Sequence, residues 1–445
     1  MRGLRSQVVA ATLAALCVLH AAVAAQWTVD DDAPADFPSI QHAINAPYVL
    51  SGDTLLVKPG HYRGYVFLAS KDLVIRSEAG PFVTILDGQG SGSVVSLQER
   101  SSATILEGFT ITGGRDQQGG GIWIYGGGPV VTRNHIRGNA AIGGFLGYGY
   151  GGGIEIYGSA AVVTRNVIRG NTALDGGGGI DVYYAGPSTP QTCCPVLSEN
   201  TIVDNVVTNP GGMGGGILAF GSAPRITSSI VSGNQAVRGG GLFVYKPQGI
   251  NDAPDATVNL FFANSPDDSD STGGFHLPPS NRHQDPRLGP GPWIDLWPRS
   301  DSPALDAAEA NAPAAADLTG TLQPLDSDLN GTAVADIGAL EGRGEITGLT
   351  LARVSWDPAA AEISWDDTVN PSEVFHLYTQ DGDPFRTSGG VCLASSLTVT
   401  WFIDSTAPAR GQARFYLVTG RGVDEGPRGF RSDGSPRPSS PSCGP

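Results

Sequence analysis

The sequence predicts an all-β chain: a solenoid of stacked rungs followed by a small β-sandwich. Three observations predict it. A glycine-led block recurs five times, a second block of fixed length follows each copy, and near residue 345 the pattern changes to isolated alternating strands.

The first block runs from Gly119 to Tyr125, Gly151 to Tyr157, Gly177 to Tyr183, Gly214 to Phe220 and Gly239 to Tyr245. Each copy has three glycines, an apolar residue, a variable one, another apolar residue and an aromatic. The second block spans Pro129 to Asn139, Ala161 to Asn171, Pro195 to Asn205, Pro224 to Asn234 and Pro254 to Asn264 without a gap. Apolar residues alternate with others inside both blocks, which is strand periodicity. The glycine triplets start 32, 26, 37 and 25 residues apart. Insertions of varying length on a fixed frame suit stacked rungs, and a closed barrel would not tolerate them. Asn134, Asn166, Asn200 and Asn259 recur at one register position, and Asn139, Asn171, Asn205, Asn234 and Asn264 at another. Stacked amides at rung spacing form hydrogen-bonded ladders, so these asparagines read as structural.

The blocks resemble the right-handed parallel β-helix, or pectin-lyase-like, family. Gly52 to Tyr62 and Leu106 to Gly114 look like its first rungs, and the likeness covers about residues 26–300. It implies the fold more than an activity, because the family includes lyases, hydrolases, epimerases and adhesins. Ser302 to Asp306 and Asp336 to Glu341 resemble a segment that closes many bacterial β-helices, giving a closing segment at 301–344. From 345 to 437, strands around Leu349 to Trp356, Glu362 to Trp365, Val374 to Tyr378, Leu397 to Ile403 and Arg414 to Val418 resemble a fibronectin type III module. Residues 438–445, rich in proline and serine, read as a flexible tail.

The first 25 residues have the basic, apolar and small-residue order of a secretory signal peptide. Its removal takes Arg2 and Arg5 and moves the net charge from −16 to −18 by the loss of two positive charges. The expected product is exported, to the extracellular space, the cell surface or the periplasm, with no segment left to insert in a membrane. So acidic a chain repels nucleic acid. Of the cysteines that remain, Cys392 and Cys443 are placed to bridge the C-terminal module, while the adjacent Cys193 and Cys194 either bridge or stay reduced.

Alternation places Ile122 and Ile124, and their equivalents on later rungs, inside the solenoid. The outer face then carries one file of Trp123, Glu155, Asp181, Leu218 and Phe243, and a second of Tyr125, Tyr157, Tyr183, Phe220 and Tyr245. Trp123 with the second file forms a candidate platform for extracellular polysaccharide or a cell-surface glycan. Glu155 and Asp181, on adjacent rungs roughly 5 Å apart, form the candidate catalytic pair, at the separation of a retaining glycosidase. The stretch Asp326, Asp328, Asn330 and Gly331, with Asp336, offers hard oxygens at the spacing calcium prefers. No other cofactor is implied. The motifs of polygalacturonases and alginate epimerases are missing, and Arg133, Arg165 or Lys246 would serve as a lyase base only by assumption. His135 reads as a surface histidine. The leading expectation is therefore a secreted carbohydrate-binding or cell-surface protein. The alternatives are a polysaccharide lyase or glycoside hydrolase, and an adhesive solenoid.

Overall fold

A computed structural model describes residues 24–342, apart from 33, 144–146, 188–193, 251, 290–293, 300, 310–314 and 326–331, together with the backbone of six strands between 350 and 421. Residues 1–23 of the expected signal peptide, residues 438–445 of the expected tail, Cys193 and Cys443 lie outside the described residues. Cys194 is disulfide-bonded.

Each turn of the chain contributes one strand to each of three parallel sheets. Sheet A has nine strands, from Gln26–Val29 to Asp255–Thr257; sheet B has eight, from Gly60–Arg63 to Leu260–Phe262; sheet C has eight, from Val66–Leu68 to Ser269–Ser271. Equivalent residues pair without slippage: Ile122, Ile154, Ile180, Ile217 and Leu242 stack in one file, Ile124, Ile156, Val182, Ala219 and Val244 in the next. All ten are fully buried, as alternation requires, and all but Ala219 belong to one continuous core.

Both corners flanking sheet B use the same device. A residue in the left-handed region turns the chain, and a buried asparagine follows it. Arg133, Arg165 and Glu199 have φ of 56°, 56° and 54°, and precede Asn134, Asn166 and Asn200. The Oδ1 of each asparagine accepts from the backbone N–H of its equivalent one rung earlier: Asn134 donates to Asn166 at 2.9 Å, and Asn166 to Asn200 at 3.0 Å. Ser229 replaces asparagine on the next rung, and the ladder resumes through Asn259 to Asn281. The second ladder, Asn139, Asn171, Asn205, Asn234 and Asn264, is uninterrupted.

After the second ladder the chain leaves the triangular section and returns, making a side arm. Its outgoing leg forms sheet D, four two-residue strands from Arg115–Asp116 to Val206–Val207. Its returning leg is a file of single bridges linking Gln118, Tyr150, Gly176, Met213 and Arg238. The glycine triplet lets the two legs meet. At Gly151 φ is +67°; a Cβ on Gly152 would lie 2.3 Å from the Thr172 carbonyl oxygen, and one on Gly153 would lie 3.0 Å from the Asn171 amide.

The helix Ile40–Asn45, capped by Ser39, buries Ile40, Ala43 and Ile44 over the first rung. Beyond the last rung, the described residues of 294–342 run back along the flank as a strap. Ile294, Leu296, Trp297, Leu318, Ile337 and Leu340 cover Val167, Val203, Ile230 and Leu260, which face outward from sheet B. Hydrogen bonds fasten the strap, among them Arg133 Nε to the Asp317 carbonyl at 2.8 Å and Gln323 Nε2 to Glu199 Oε2 at 2.6 Å. The six C-terminal strands pair antiparallel in two sheets. One holds Thr350–Asp357, Ala360–Asp366 and Trp401–Asp404; the other holds Val391–Leu397, Val374–Asp381 and Arg414–Arg421. Their side chains, including Cys392 and the expected sandwich core, lie outside the described residues.

Asn171→Ala removes two acceptor contacts to Asn139 and two donor contacts, to Ile136 and Asn205, in a fully buried corner. The expected cost is roughly 2–4 kcal/mol, read from the denaturant midpoint against an exposed control such as Thr172→Ala.

Candidate functional site

The outward files of sheet C are in the expected register, but they are not the expected open face. Glu155 pairs with Asp181 across adjacent strands, and the two are only 2% and 0% exposed. Leu218 and Phe243 are buried as well. The returning leg of the arm covers them: Gln118 Nε2 reaches Glu155 Oε1 at 3.4 Å, the Arg238 guanidinium lies 4.7 Å from the centre of the Phe243 ring, and Gly176 packs against Leu218. Glu155 Oε2, both Asp181 carboxylate oxygens and Trp123 Nε1 have no hydrogen-bond partner. Burial, then repulsion from Asp181, raises the Glu155 pKa well above the carboxylate range, and burial alone raises that of Asp181. The two acids meet as the sequence implies, yet as an enclosed pair out of reach of a polymer.

The aromatic platform also needs correction. The rings of Tyr125, Tyr157, Tyr183, Phe220 and Tyr245 stack on one another along the solenoid axis, with centroids 5.5, 5.3, 4.8 and 4.4 Å apart and interplanar angles of 21°, 24°, 21° and 13°. Their faces are occupied by their neighbours, so the file offers ring edges to solvent where sugar stacking needs faces. Tyr184 closes edge-on against Tyr183 and Phe220, and Trp123 tilts against Tyr125 at 6.1 Å.

Asp326, Asp328 and Asn330 lie outside the described residues. Asp336 is buried, with its oxygens taken by the backbone N–H groups of Asp306 and Gly342. Burial, then the nearby Glu341 carboxylate, pushes its pKa up to about 8; burial pushes Glu341 to about 7. Among the described residues, the carboxylates close enough to share a metal ion are Asp30, Asp31 and Asp32, before the first full rung. Arg133 and Arg165 are held in ion pairs with Glu107 and Glu199, at 2.7 Å each.

An open cavity of about 680 Å³ lies elsewhere, on the outer face of sheet B where the strap ends. The first outward file of this sheet reads Thr110, His135, Val167, Thr201, Ile230 and Leu260 in successive rungs. The strap covers it from Val167 onward and leaves Thr110 and His135 lining the cavity, with Phe82, Ile85 and Ile294 as apolar walls. The second outward file contributes Arg137 and, one rung later, Arg169. Arg169 is neutralised by Asp204 and by the strap's Asp295. Arg137 is exposed and, among the described residues, makes no ion pair. His135 is 9% exposed, so it is not the surface residue expected. Its ring lies 6.3 Å from Phe82, and its Nε2 is unpartnered. Burial, then the charges of Arg137 and Arg169, lowers its pKa from 6.5 to about 4.

Residues 83–252 match the family model described as the right handed beta helix region. The solenoid is a right-handed parallel β-helix. No curated protein matches the chain. Among solved structures, this β-helix is similar to the crystal structure of pectate lyase Pel9A, with a TM-score of 0.40 and 15% identity, over 72% of this chain and 96% of that one. Similarity at that level speaks to neither activity nor substrate.

A histidine held neutral below its ordinary pKa adds stability that is present above pH 6.5 and is lost as the pH falls towards about 4. His135→Thr copies the residue one rung earlier, Thr110, and two rungs later, Thr201. Its denaturant stability is expected to lose about 3 kcal/mol less than the wild type between pH 7 and pH 4.

Proposed function

We propose that the chain is an exported protein that binds acidic polysaccharide along the outer face of sheet B, in the groove that ends at the strap. The observation carrying this reading is Arg137, an exposed guanidinium with no carboxylate partner among the described residues of a chain whose net charge is −16. A free guanidinium fits a carboxylate in bidentate fashion. Around it the groove supplies what a sugar ring needs. Phe82, Ile85 and Ile294 form apolar walls for C–H faces, while the exposed Asp295 carboxylate supplies a hydroxyl partner. The volume falls within the ~300–1,000 Å³ of typical ligand sites. The groove favours binding over turnover by the acid pair, because Glu155 and Asp181 are enclosed on a different sheet.

The test is retention and calorimetry on a panel of neutral and uronate-containing polysaccharides, with and without calcium, with reducing ends and unsaturated products followed in parallel. Uronate polymers are expected to bind in a salt-sensitive manner. Arg137→Ala should weaken binding at least about tenfold, the scale of one charge-assisted contact, while Tyr157→Ala leaves it unchanged. Full retention by Arg137→Ala, or loss with Tyr157→Ala, would return the site to sheet C.

A further inference from the structure

We propose that Glu155 and Asp181 form a proton-held latch, keeping the side arm closed on sheet C while they are protonated and releasing it when they ionise. The geometry carries this reading. The two side chains are register partners on adjacent rungs, almost wholly excluded from water, with three of their four oxygens lacking any donor. Ionised carboxylates buried in this way are strongly disfavoured unless a cation or donor compensates them, and neutralisation by a proton is the less costly state.

Among the described residues, no compensating charge faces the pair. Along its own sheet the neighbours are Trp123 and Leu218. From the arm come Gln118, Tyr150 and Gly176, and the ionisable groups there are Tyr150, Asp116 and Asp175. Asp116 adds repulsion, and Tyr150, raised to about 12, stays neutral throughout the relevant range. The arm's Arg238 is engaged with Phe243 and Asp270, on later rungs.

The arm is the element that yields. Sheet C is bonded on both sides over four-residue strands, whereas the arm's outgoing leg has two-residue strands and its returning leg is held by single bridges and by rung-to-rung bonds from glycine N–H groups, such as Gly151 to the Gly176 carbonyl and Gly152 to the Gly177 carbonyl. Since enclosure raises both acid pKa values, the closed form binds more protons than the open one. Closure is complete below the ordinary carboxylate range and is lost as pH rises through the raised values.

Hydrogen exchange of the full chain between pH 6 and 10, corrected for the intrinsic rate, reads the latch directly. Protection of amides at 149–153 and 175–179 should fall about tenfold per pH unit once opening releases one proton, while Ile156 and Val182 inside the core keep theirs. The double variant Glu155→Gln/Asp181→Asn should show no such slope. A second double variant, Glu155→Gln/Asp181→Leu, repeats the Leu218 already accommodated one rung later and should also be flat. Arm protection independent of pH in the wild type, or an equal slope in both variants, would overturn the latch.

Discussion

Buried asparagine amides at two corners hold this molecule in register. A chain that turns sharply through left-handed residues such as Arg133 and Arg165 exposes backbone N–H groups that no sheet ladder can satisfy. The side chain one rung further on accepts them, and its own amide group donates back to the earlier rung. Each corner is therefore completed only by the next. This reciprocity fixes which residues share a file, and so whether an outward side chain meets an identical neighbour, a charge or a covering segment. The one break, at Ser229, is bridged because its hydroxyl still accepts from Asn200 at 3.2 Å while its backbone N–H donates to Asn259.

On that frame, sheets B and C solve the problem of their outward faces differently. Sheet C is covered rung by rung by the chain's own excursion, the arm, which encloses polar as well as apolar members of the file. Sheet B is covered once, lengthwise, by the strap, over Val167, Thr201, Val203, Ile230 and Leu260. The groove is the part of that face left bare. Its charge runs against that of the molecule: Arg137 and Arg169 sit one above the other, and only the second is neutralised.

Much of this was legible in the sequence. The glycine triplets and fixed-length second blocks give the rungs, their inward residues and both asparagine ladders, because strand alternation and rung stacking are local rules. What failed depends on segments meeting across the chain. Glu155 and Asp181 read as a catalytic pair on an open outer face because nothing in a period of two reveals that Gln118 and Tyr150 fold back over them. The tyrosines read as a platform because ring orientation follows rung stacking rather than strand direction. His135 read as a surface residue although a strap beginning at Ile294, far downstream in the chain, closes its neighbourhood. One signal was present and passed over: Val203, Ile230 and Leu260 are apolar at outward positions of sheet B, where a strand open to water alternates. That two-sided apolarity marks where a cover must lie, and its end beyond Val167 marks where the groove beside Arg137 begins.

The strap also changes how the molecule bears force. A solenoid held only by contacts between neighbours peels from an end, one rung at a time. Here Asp317, Gln323, Glu309 and Ala339 grip rungs at Arg133, Glu199, Ser228 and Thr201. Tension along the axis between those rungs is shared by a second, parallel piece of chain loaded in shear. The rungs before Arg133 lack those grips, so a pull on the solenoid divides it into a part that unzips and a part that must slip as a unit.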